Sequence, residues 1–337
     1  MTVHTGAAVP GTPPGGSALG ASPGPAGPTP RPRGRFAPSP TAPLHLGSLV
    51  AAVGSWLFAR SAGGEWLVRM EDLDGPRVVP GAADDILRAL ERYGLEWDGE
   101  VAVQSARTAF YEEALARLRA AGLAYDCGCT RAEVARAAGA PDASDPVDAG
   151  GAVYAGTCRA GLPPGRTPRA VRFRVPPGTI AFEDRVRGRV EEEVSRAVGD
   201  FVVKRADGPF AYQLAVVVDD AAQGITEVVR GGDLLSSTAR QIALQRALGL
   251  PTPAYAHLPL VLGPDGTKLG KRDGALPLET LDERRVRETL AAALRLLGQE
   301  APDGTVPEML GAALRAFDAT SVPTGPVRVP ASGEGSA

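Results

Sequence analysis

The chain has 337 residues and a formal net charge of −3, a length that predicts more than one structural unit. Apolar residues make up 44 % of it and charged residues 22 %, which is the balance of a globular chain with a sizeable core. No apolar run approaches the roughly 18 residues that cross a bilayer, so the sequence predicts no association with a membrane. The small net charge argues against a protein that coats nucleic acid over its whole surface.

The two ends of the chain differ in composition from its middle. Residues 1–34 are rich in Pro, Gly and Ala without hydrophobic periodicity, and residues 322–337 are similarly poor in core-forming side chains. Such stretches bury too little apolar surface to offset the entropy of ordering, so both are predicted to be disordered. The first stretch lacks the apolar core of a secretory signal, which predicts a cytoplasmic location by default.

Strand and helix signals alternate in the first half of the remaining chain. Arg35–Pro38 predicts a short strand that breaks into a loop, Leu46–Ala59 a buried helix, and Glu65–Met70 a strand. Gly81–Tyr93 and Arg107–Ala121 predict helices, each followed by a glycine stop. This order indicates an α/β fold with a Rossmann-type parallel sheet that binds a nucleotide.

The alternation is interrupted between residues 123 and 196, where an inserted α+β subdomain is predicted. It returns with strands at Phe201–Arg205 and Thr226–Val229 and a helix at Ser236–Leu248, whose first hydroxyl side chains are predicted to cap it. A further helix is predicted for Asp282–Leu297, in a short helical C-terminal stem. The predicted boundaries are 35–122 and 197–275 for the two halves of the nucleotide-binding domain, 123–196 for the insertion, and 276–321 for the stem.

Lysine is rare in this chain. Among 36 basic residues only three are lysines, and two of them, Lys268 and Lys271, lie close together after a Gly-Pro-Asp-Gly-Thr loop. A compact, flexible ammonium group differs from the planar fork of arginine, so its use here indicates a specific need. Two such groups on a loop can follow the changing charge of a phosphoryl-transfer transition state. The alternative interpretation is a solvated hairpin tip.

A second short motif, His45-Leu46-Gly47-Ser48, precedes the predicted helix at Leu46. A glycine between a turn and a helix lets a phosphate approach the backbone, and the helix N-terminus offers N–H donors with a positive dipole end. His45 can hydrogen-bond a phosphate oxygen there. The alternative is a histidine that only caps the helix or packs at the turn.

These motifs, in this order and about 220 residues apart, resemble the HIGH and KMSKS signatures of the class I aminoacyl-tRNA synthetases. The resemblance extends from Arg35 to Arg272 and departs at Gly270, where the family usually has serine. Within the class it is closest to the glutamyl enzymes, through the segments Arg35-Phe36-Ala37-Pro38-Ser39-Pro40-Thr41, Arg69-Met70-Glu71-Asp72-Leu73-Asp74, the stretch from Phe210 to Asp220, and Val229-Arg230-Gly231-Gly232-Asp233-Leu234.

The resemblance implies that ATP, with Mg²⁺ on its phosphates, is bound by His45, Gly47, Ser48 and Lys271, and that His45, Lys268 and Lys271 are catalytic. It implies that L-glutamate contacts Arg35, Phe36, Ala37, Pro38, Ser39, Glu71, Tyr212 and Arg230. Guanidinium groups bind carboxylates bidentately, so we expect Arg35 to bind mainly the side-chain carboxylate and Glu71 to meet the ammonium. Without the resemblance, Glu71 and the acidic residues after it would be interpreted as an acidic turn. The implied reaction forms glutamyl-adenylate and releases pyrophosphate.

All three cysteines, Cys127, Cys129 and Cys158, lie in the predicted insertion. A disulfide framework is not predicted in a chain without a secretion signal. The cysteines supply three ligands of a tetrahedral zinc site, with buried free thiols as the alternative. The resemblance of Tyr154–Cys158 to the Tyr-x-x-x-Cys arrangement of glutamyl-Q tRNA(Asp) synthetases implies Tyr154 as the fourth ligand of one structural zinc.

The segment after Arg272 has 65 residues, too few for the anticodon-binding module of glutamyl-tRNA synthetases. The chain therefore resembles the glutamyl-Q tRNA(Asp) synthetases, which attach glutamate to the queuosine base in the anticodon loop of tRNA(Asp). Nine arginines between Arg159 and Arg196 are then expected to contact the RNA, with a solvated β-surface as the alternative. A monomer is predicted. Two other functions stay open: a truncated enzyme that charges tRNA(Glu), and a catalytically idle RNA-binding relative.

Overall fold

The computed structural model describes residues 31–138, 152–269 and 278–329. Three strands, β1 (Arg33–Phe36), β2 (Glu65–Met70) and β3 (Ala102–Val103), form a parallel sheet in that order. Helix α1 (Leu46–Ser61) follows β1 and helix α2 (Ala82–Arg92) follows β2. Since α1 is buried along most of its length, its sequence is apolar all round rather than on one stripe. The predicted parallel sheet is confirmed.

A small antiparallel sheet follows helix α3 (Thr108–Ala120). Its first strands are β4 (Ala124–Cys127) and β5 (Ala170–Phe173), which pair along their whole length. Between them, helix α4 (Arg131–Ala137) begins with a capping box in which Thr130 and Glu133 exchange side-chain and backbone hydrogen bonds. This sheet and helix agree with the predicted α+β character of the insertion.

The chain returns to the main sheet earlier than the sequence predicted. Strands β6 (Ile180–Asp184) and β7 (Gly188–Glu192) form a hairpin at the edge of a second sheet of parallel strands. After the single turn α5 (Val194–Ala197), strand β8 (Val202–Lys204) pairs with β5 in the small sheet. The predicted boundary between residues 196 and 197 is therefore wrong. Strands β6 and β7, which precede it, belong to the main sheet, and strand β8, which follows it, belongs to the small sheet.

After β8 the chain forms helix α6 (Tyr212–Ala222), strand β9 (Glu227–Gly231), helix α7 (Leu235–Leu248) and strand β10 (Ala254–Leu258). Strands β9 and β10 belong to the second sheet. The strand order of this second sheet is β7-β6-β10-β9, and its strands β9, β10 and β6 are parallel. A hydrogen bond of 2.9 Å from the Thr226 N–H to the carbonyl of Arg33 links the two sheets beside β1 and β9. Strands β1 and β9 consequently lie at the centre of the combined layer.

The predicted capping of α7 by hydroxyl side chains is wrong. The N-cap residue is Leu234, and no side chain caps this end of the helix. The hydroxyls of Ser237 and Thr238 are buried instead, where they accept hydrogen bonds from Gln213 and Arg230. A 3-10 turn that precedes the helix moves its start, so these residues lie one turn too deep to act as caps.

The C-terminal part packs back on α1. Strand β11 (Val261–Leu262) leads out of the sheet, and helices α8 (Glu283–Leu296) and α9 (Val306–Arg315) form the stem. A final strand, β12 (Val327–Arg328), pairs in parallel with β11. The prediction of disorder from Val322 onward is therefore wrong for the described residues up to 329. No helix in the described ranges is long and apolar enough to cross a bilayer.

Candidate active site

A cavity of about 730 Å³ lies at the carboxyl ends of β1 and β9. The chain leaves β1 through α1 toward β2 on one side, and leaves β9 through α7 toward β10 on the other. This divergence is the topological switch point at which α/β sheets bind their ligands. The cavity brings together most of the residues predicted to contact glutamate, namely Arg35, Phe36, Ala37, Ser39, Glu71, Tyr212 and Arg230.

Pro38 is the one residue of that predicted set outside the cavity lining. Its carbonyl accepts a hydrogen bond of 2.9 Å from the N–H of Glu71. The loop after β1 is thereby tied to the end of β2, which places Glu71 opposite the backbone of Ala37 and Ser39. Pro38 thus shapes the cavity from behind.

One end of the cavity is built around Arg35, whose side chain is only 3 % exposed. Its Nε and Nη2 donate to the two carboxylate oxygens of Asp220 on α6, at 3.1 and 3.4 Å. Arg69 on β2 donates to the same carboxylate from Nη1 at 2.8 Å and to Glu71 from Nη2 at 3.1 Å. Two arginines and two carboxylates therefore compensate one another at this end.

The charges at this end shift the pKa values of the two carboxyl groups in opposite directions. Burial works against ionisation of Asp220, but Arg35 and Arg69 outweigh it and hold the pKa of Asp220 below its usual value. Burial dominates at Glu71, because Arg69 and Arg35 compensate it less and Asp220 repels it, so its pKa is raised. An ammonium group in the cavity would favour the ionised form of Glu71.

Asp219, next to Asp220 on α6, extends the network to the start of α3. It accepts hydrogen bonds from Gln104 Nε2 at 2.9 Å, from Arg107 Nε at 2.6 Å and from the Tyr111 hydroxyl at 2.7 Å. These bonds bring together the end of β3, the start of α3 and the middle of α6. The network therefore fixes the helix that carries Asp220 before any ligand binds.

The other end of the cavity is built around Arg230 on β9, which is 5 % exposed. Each of its nitrogens donates to a neutral group: Nε to His257 Nε2 at 3.1 Å, Nη1 to the Tyr212 hydroxyl at 3.1 Å, and Nη2 to Thr238 Oγ1 at 2.9 Å. His257 lies on β10 directly beside Arg230 in the strand register and is fully buried. Unlike Arg35, Arg230 has no carboxylate among these three partners.

The HIGH-like motif forms the start of α1. His45 is the N-cap, and its Nδ1 accepts a hydrogen bond of 3.4 Å from the N–H of Ser48. A Cβ atom on Gly47 would lie 3.0 Å from Cε1 of His45, so glycine lets the imidazole cover this turn. The capping role that the sequence offered as the alternative is therefore present, and a phosphate-binding role for His45 stays a prediction.

The KMSKS-like motif lies next to this helix start. Lys268 pairs with Leu262 across a hairpin turn, and the N–H of Leu269 donates to the carbonyl of Val261 at 3.0 Å. Val261 in turn lies 3.9 Å from the Cβ position of Gly47, which brings the two motifs together. The Lys268 ammonium is 57 % exposed and contacts Asp233 at 2.6 Å. Gly270 and Lys271 lie outside the described residues.

The three cysteines converge in the small sheet. Their sulfur atoms lie within 4.8 Å of one another and form a candidate metal site. The Tyr154 hydroxyl lies 3.5 Å from Cys127 Sγ and 3.8 Å from Cys129 Sγ, and it accepts a hydrogen bond of 2.8 Å from the N–H of Cys158. Cys129 and Cys158 have their sulfurs 3.7 Å apart and are both free thiols.

Arg172 gives this cluster a cationic neighbour. Its Nε donates to Cys127 Sγ at 3.3 Å, and its guanidinium lies 3.8 Å from the ring centre of Tyr154. Burial opposes ionisation of Cys127, but hydrogen bonds from Tyr154 and Arg172 outweigh it and lower its pKa. Burial raises the pKa of Cys129 to about 11. Cys127 is thus better prepared than Cys129 to be a thiolate.

The arginines of residues 159–196 are largely engaged within the protein. Arg172 is buried, and Arg159, Arg166 and Arg189 form ion pairs with Asp200, Glu133 and Glu191. Two more, Arg185 and Arg196, pair with Glu227 and Glu193. Arg185, Arg189 and Arg196 are nevertheless more than half exposed, and an RNA contact at this surface stays a prediction.

Four residues that build the site were not predicted: Arg69, Asp184, Asp220 and His257. Arg69 and Asp220 lie in segments that resemble the glutamyl enzymes, which was a signal without an assigned role. His257 is one of only three histidines, but nothing in its alternating strand marks it. Its partner Asp184 is 73 positions away, a distance that no local pattern spans.

Comparisons with known proteins show the family to which the chain belongs. A family profile described as "tRNA synthetases class I (E and Q), catalytic domain" matches residues 32–306. Glutamyl-Q tRNA(Asp) synthetase of Geobacter sulfurreducens is 60 % identical over 280 residues, which are 82 % of this chain and 88 % of that protein. The enzyme of the same name from Dechloromonas aromatica is 59 % identical over 271 residues, 80 % of this chain and 87 % of that protein.

A solved structure shows the same architecture. The glutamate tRNA ligase of Elizabethkingia meningosepticum, in complex with its amino acid, superposes with a TM-score of 0.71 at 29 % sequence identity, over 88 % of this chain and 67 % of that one. The fold and the matched domain are those of a class I aminoacyl-tRNA synthetase. Given the extent of the similarity to the curated relatives, the chain belongs to the glutamyl-Q tRNA(Asp) synthetase family of ligases.

Proposed function

We propose that this protein activates L-glutamate with ATP, in the absence of tRNA, and transfers it to the queuosine base in the anticodon loop of tRNA(Asp). The observation that carries the proposal is the charge pattern of the cavity. Two buried arginines, Arg35 and Arg230, lie in its lining together with the carboxyl group of Glu71. Glutamate carries two carboxylates and one ammonium, which this pattern complements.

Each substrate group has a partner in the cavity. The guanidinium groups take the carboxylates through charge-assisted hydrogen bonds, and Glu71 takes the ammonium. Tyr212 and the backbone of Ala37 to Ser39 form the wall between them. Since all of these groups are held by bonds within the protein, the cavity is preorganised and loses little entropy when the ligand binds.

In the activation step, an oxygen of the glutamate α-carboxylate attacks the α-phosphorus of ATP. The bond from that phosphorus to the bridging oxygen breaks, and Mg²⁺-bound pyrophosphate leaves with the electron pair. No protein nucleophile takes part, so catalysis consists of positioning and charge stabilisation. His45, Gly47 and Ser48 at the start of α1 would hold the phosphates, and Lys268 and Lys271 would stabilise the leaving charge.

The transfer step follows from the names of the relatives, which are glutamyl-Q tRNA(Asp) synthetases. The glutamyl group passes from the adenylate to the queuosine base, and AMP is the leaving group. A truncated enzyme that charges tRNA(Glu) and an idle RNA-binding relative are the two alternatives, and the experiment below separates them.

One structural zinc ion would be held by Cys127, Cys129, Tyr154 and Cys158. Zinc–thiolate bonds of about 2.3 Å place tetrahedral ligands about 3.8 Å apart. The sulfurs of Cys129 and Cys158 are 3.7 Å apart, and the Tyr154 oxygen lies 3.5 and 3.8 Å from two of the sulfurs. Burial raises the pKa of Tyr154, so a phenolate would form only with the metal bound.

The test is pyrophosphate exchange with glutamate and ATP in the absence of tRNA, followed by transfer of labelled glutamate to queuosine-containing tRNA(Asp) and to tRNA(Glu). We expect exchange without tRNA and transfer to tRNA(Asp) only. Transfer to tRNA(Glu) alone would establish the truncated synthetase, and absence of exchange would establish the idle relative.

Two variants give this test its control. Lys271→Ala should abolish exchange and leave the zinc content unchanged. Lys204→Ala, at the third lysine of the chain, should leave exchange intact, because Lys204 pairs with Glu112 outside the cavity lining. Equal exchange by both variants would remove Lys271 from the catalytic groups.

The zinc assignment is tested by metal analysis of the purified protein. We expect one zinc per chain, with weaker retention in Tyr154→Phe against a competing chelator. A zinc content that stays at background when zinc is supplied would overturn the site, and equal retention by both proteins would remove Tyr154 from the ligands.

A further inference from the structure

The Asp184–His257 pair lies behind the cavity and belongs to none of the groups assigned above. Asp184, at the end of β6, has its Oδ2 2.5 Å from Nδ1 of His257. Its Oδ1 accepts three backbone N–H groups, from Val186 at 3.0 Å, Arg187 at 2.9 Å and His257 at 3.1 Å. Both side chains are fully buried, and four hydrogen bonds fix the carboxylate.

These bonds determine the protonation of both groups. Burial opposes ionisation of Asp184, but the bonds from His257 and from the Arg187 N–H outweigh it and lower its pKa. Burial, joined by the nearby charge of Arg230, lowers the pKa of His257 more than Asp184 raises it. His257 is therefore a neutral imidazole with its proton on Nδ1, facing the carboxylate.

The tautomer decides what His257 offers to the cavity. With the proton on Nδ1, the Nε2 lone pair accepts from the Nε–H of Arg230 at 3.1 Å and also lies 3.1 Å from Thr238 Oγ1. A guanidinium has donors and no acceptor, so Arg230 donates and His257 accepts. The orientation of the guanidinium is thus set by a chain of two buried hydrogen bonds that begins at Asp184.

The imidazole also keeps the negative charge of Asp184 out of contact with Arg230. A carboxylate in direct contact would satisfy the guanidinium and compete with a substrate carboxylate, as Asp220 does at Arg35. A neutral acceptor fixes the same geometry and leaves the positive charge for the ligand. Partners that orient a binding group in this way act through it, without contact with the substrate.

We propose that Asp184 and His257 are positioning residues that hold the guanidinium of Arg230, without neutralising it, for a carboxylate of the amino acid substrate. The inference rests on the proposed function, since it takes glutamate as the ligand of Arg230. Asp184 and His257 should therefore affect the affinity for the amino acid and leave the affinity for ATP unchanged.

The experiment measures pyrophosphate exchange against glutamate and against ATP for the wild-type protein, His257→Leu and His257→Gln. Leucine removes the acceptor, so we expect the KM for glutamate to rise roughly 10- to 100-fold, with the KM for ATP unchanged. Glutamine offers a carbonyl near the position of Nε2 and should restore most of that loss. Asp184→Asn, which keeps an acceptor oxygen but loses the charge, should lie between wild type and His257→Leu.

Gln245→Leu is the matched control for a merely structural effect. Gln245 is buried and donates to the hydroxyl of Tyr255, two residues before His257 on the same strand. It should lower the melting temperature without changing the KM for glutamate. A His257→Leu protein that melts lower but keeps the wild-type KM for glutamate would overturn the inference, as would failure of glutamine to improve on leucine. A wild-type protein that activates no glutamate would overturn the proposed function and this inference together.

Discussion

The two ends of the cavity use the same side chain, an arginine, in different electrostatic settings. Arg35 is held by the carboxylate of Asp220, which Arg69 shares. Arg230 is held by an imidazole, a phenol and an alcohol, all of them neutral. An arginine whose partners are neutral keeps its full attraction for an incoming anion, whereas a paired arginine gives up part of it. The partners of each arginine therefore determine how strongly its guanidinium can attract a carboxylate.

The largest effect on activity is expected at the end with neutral partners. Arg230→Leu should lower kcat/KM for glutamate by about 10³-fold, equivalent to about 4 kcal/mol, because a charge-assisted carboxylate bond is lost. Pyrophosphate exchange over a range of glutamate concentrations measures it. Arg35→Leu is the comparison variant and should lose less. A greater loss in Arg35→Leu would reverse the comparison and support the expectation that Arg35 is the main carboxylate-binding group.

The largest effect on stability is expected at the other end. Asp220→Asn leaves Arg35 and Arg69 buried with too little negative charge, and should lower the free energy of unfolding by about 3 kcal/mol. Urea denaturation followed by circular dichroism measures it. Thr238→Val, which removes a neutral partner of Arg230, is the counterpart and should cost less. Equal losses of unfolding free energy in Asp220→Asn and Thr238→Val would mean that the carboxylate of Asp220 contributes no more to stability than a neutral partner of Arg230.

A smaller effect is expected at the phenol beside Arg230. Tyr212→Phe removes one acceptor from Nη1 and keeps the ring, so it should raise the KM for glutamate about 5-fold, equivalent to about 1 kcal/mol. The urea midpoint should hardly move. A shift in the KM for ATP instead would place Tyr212 nearer to the nucleotide than to the amino acid.

The smallest effect is expected at the exposed rim, where Asp233 pairs with Lys268. Both side chains are substantially exposed, at 40 and 57 %, and surface pairs contribute about 0–1 kcal/mol. Asp233→Asn should therefore leave the urea midpoint nearly unchanged, in contrast with Asp220→Asn. A loss as large as that of Asp220→Asn would show that burial does not distinguish the two pairs.

The elements of the main sheet could be predicted because their signals are local. The strand Glu65–Met70 was predicted with its observed ends, since a glycine pair precedes it and its side chains alternate. Helix α1 was identified from its apolar run, and the helix predicted for Asp282–Leu297 is α8, within one residue at each end. The cavity residues were predicted from motifs that resemble those of the glutamyl enzymes. The resemblance therefore indicated that they lie together, but not which hydrogen bonds they form.

What could not be predicted depends on partners that are distant in sequence. The hydroxyls of Ser237 and Thr238 have the spacing of helix caps, yet they are used for buried contacts with Gln213 and Arg230. The ion pair of Arg35 is with Asp220, 185 positions away. Residue spacing carries no information about such pairs until the sheet order is known, so the sequence indicated that the two arginines belong to the site but not which partners hold them.

Strand β8 has a consequence for how this protein can be recombined. The small sheet takes β4 and β5 from one stretch of chain and β8 from another, while the hairpin of β6 and β7 between them serves the main sheet. From β8 only seven residues lead to Tyr212, and Ala211 is bonded to Val203 at 3.0 Å. The cysteine-bearing unit is therefore not one contiguous segment of the gene: its exchange between relatives requires two separate segments to be replaced, and a single continuous excision would remove part of the main sheet as well.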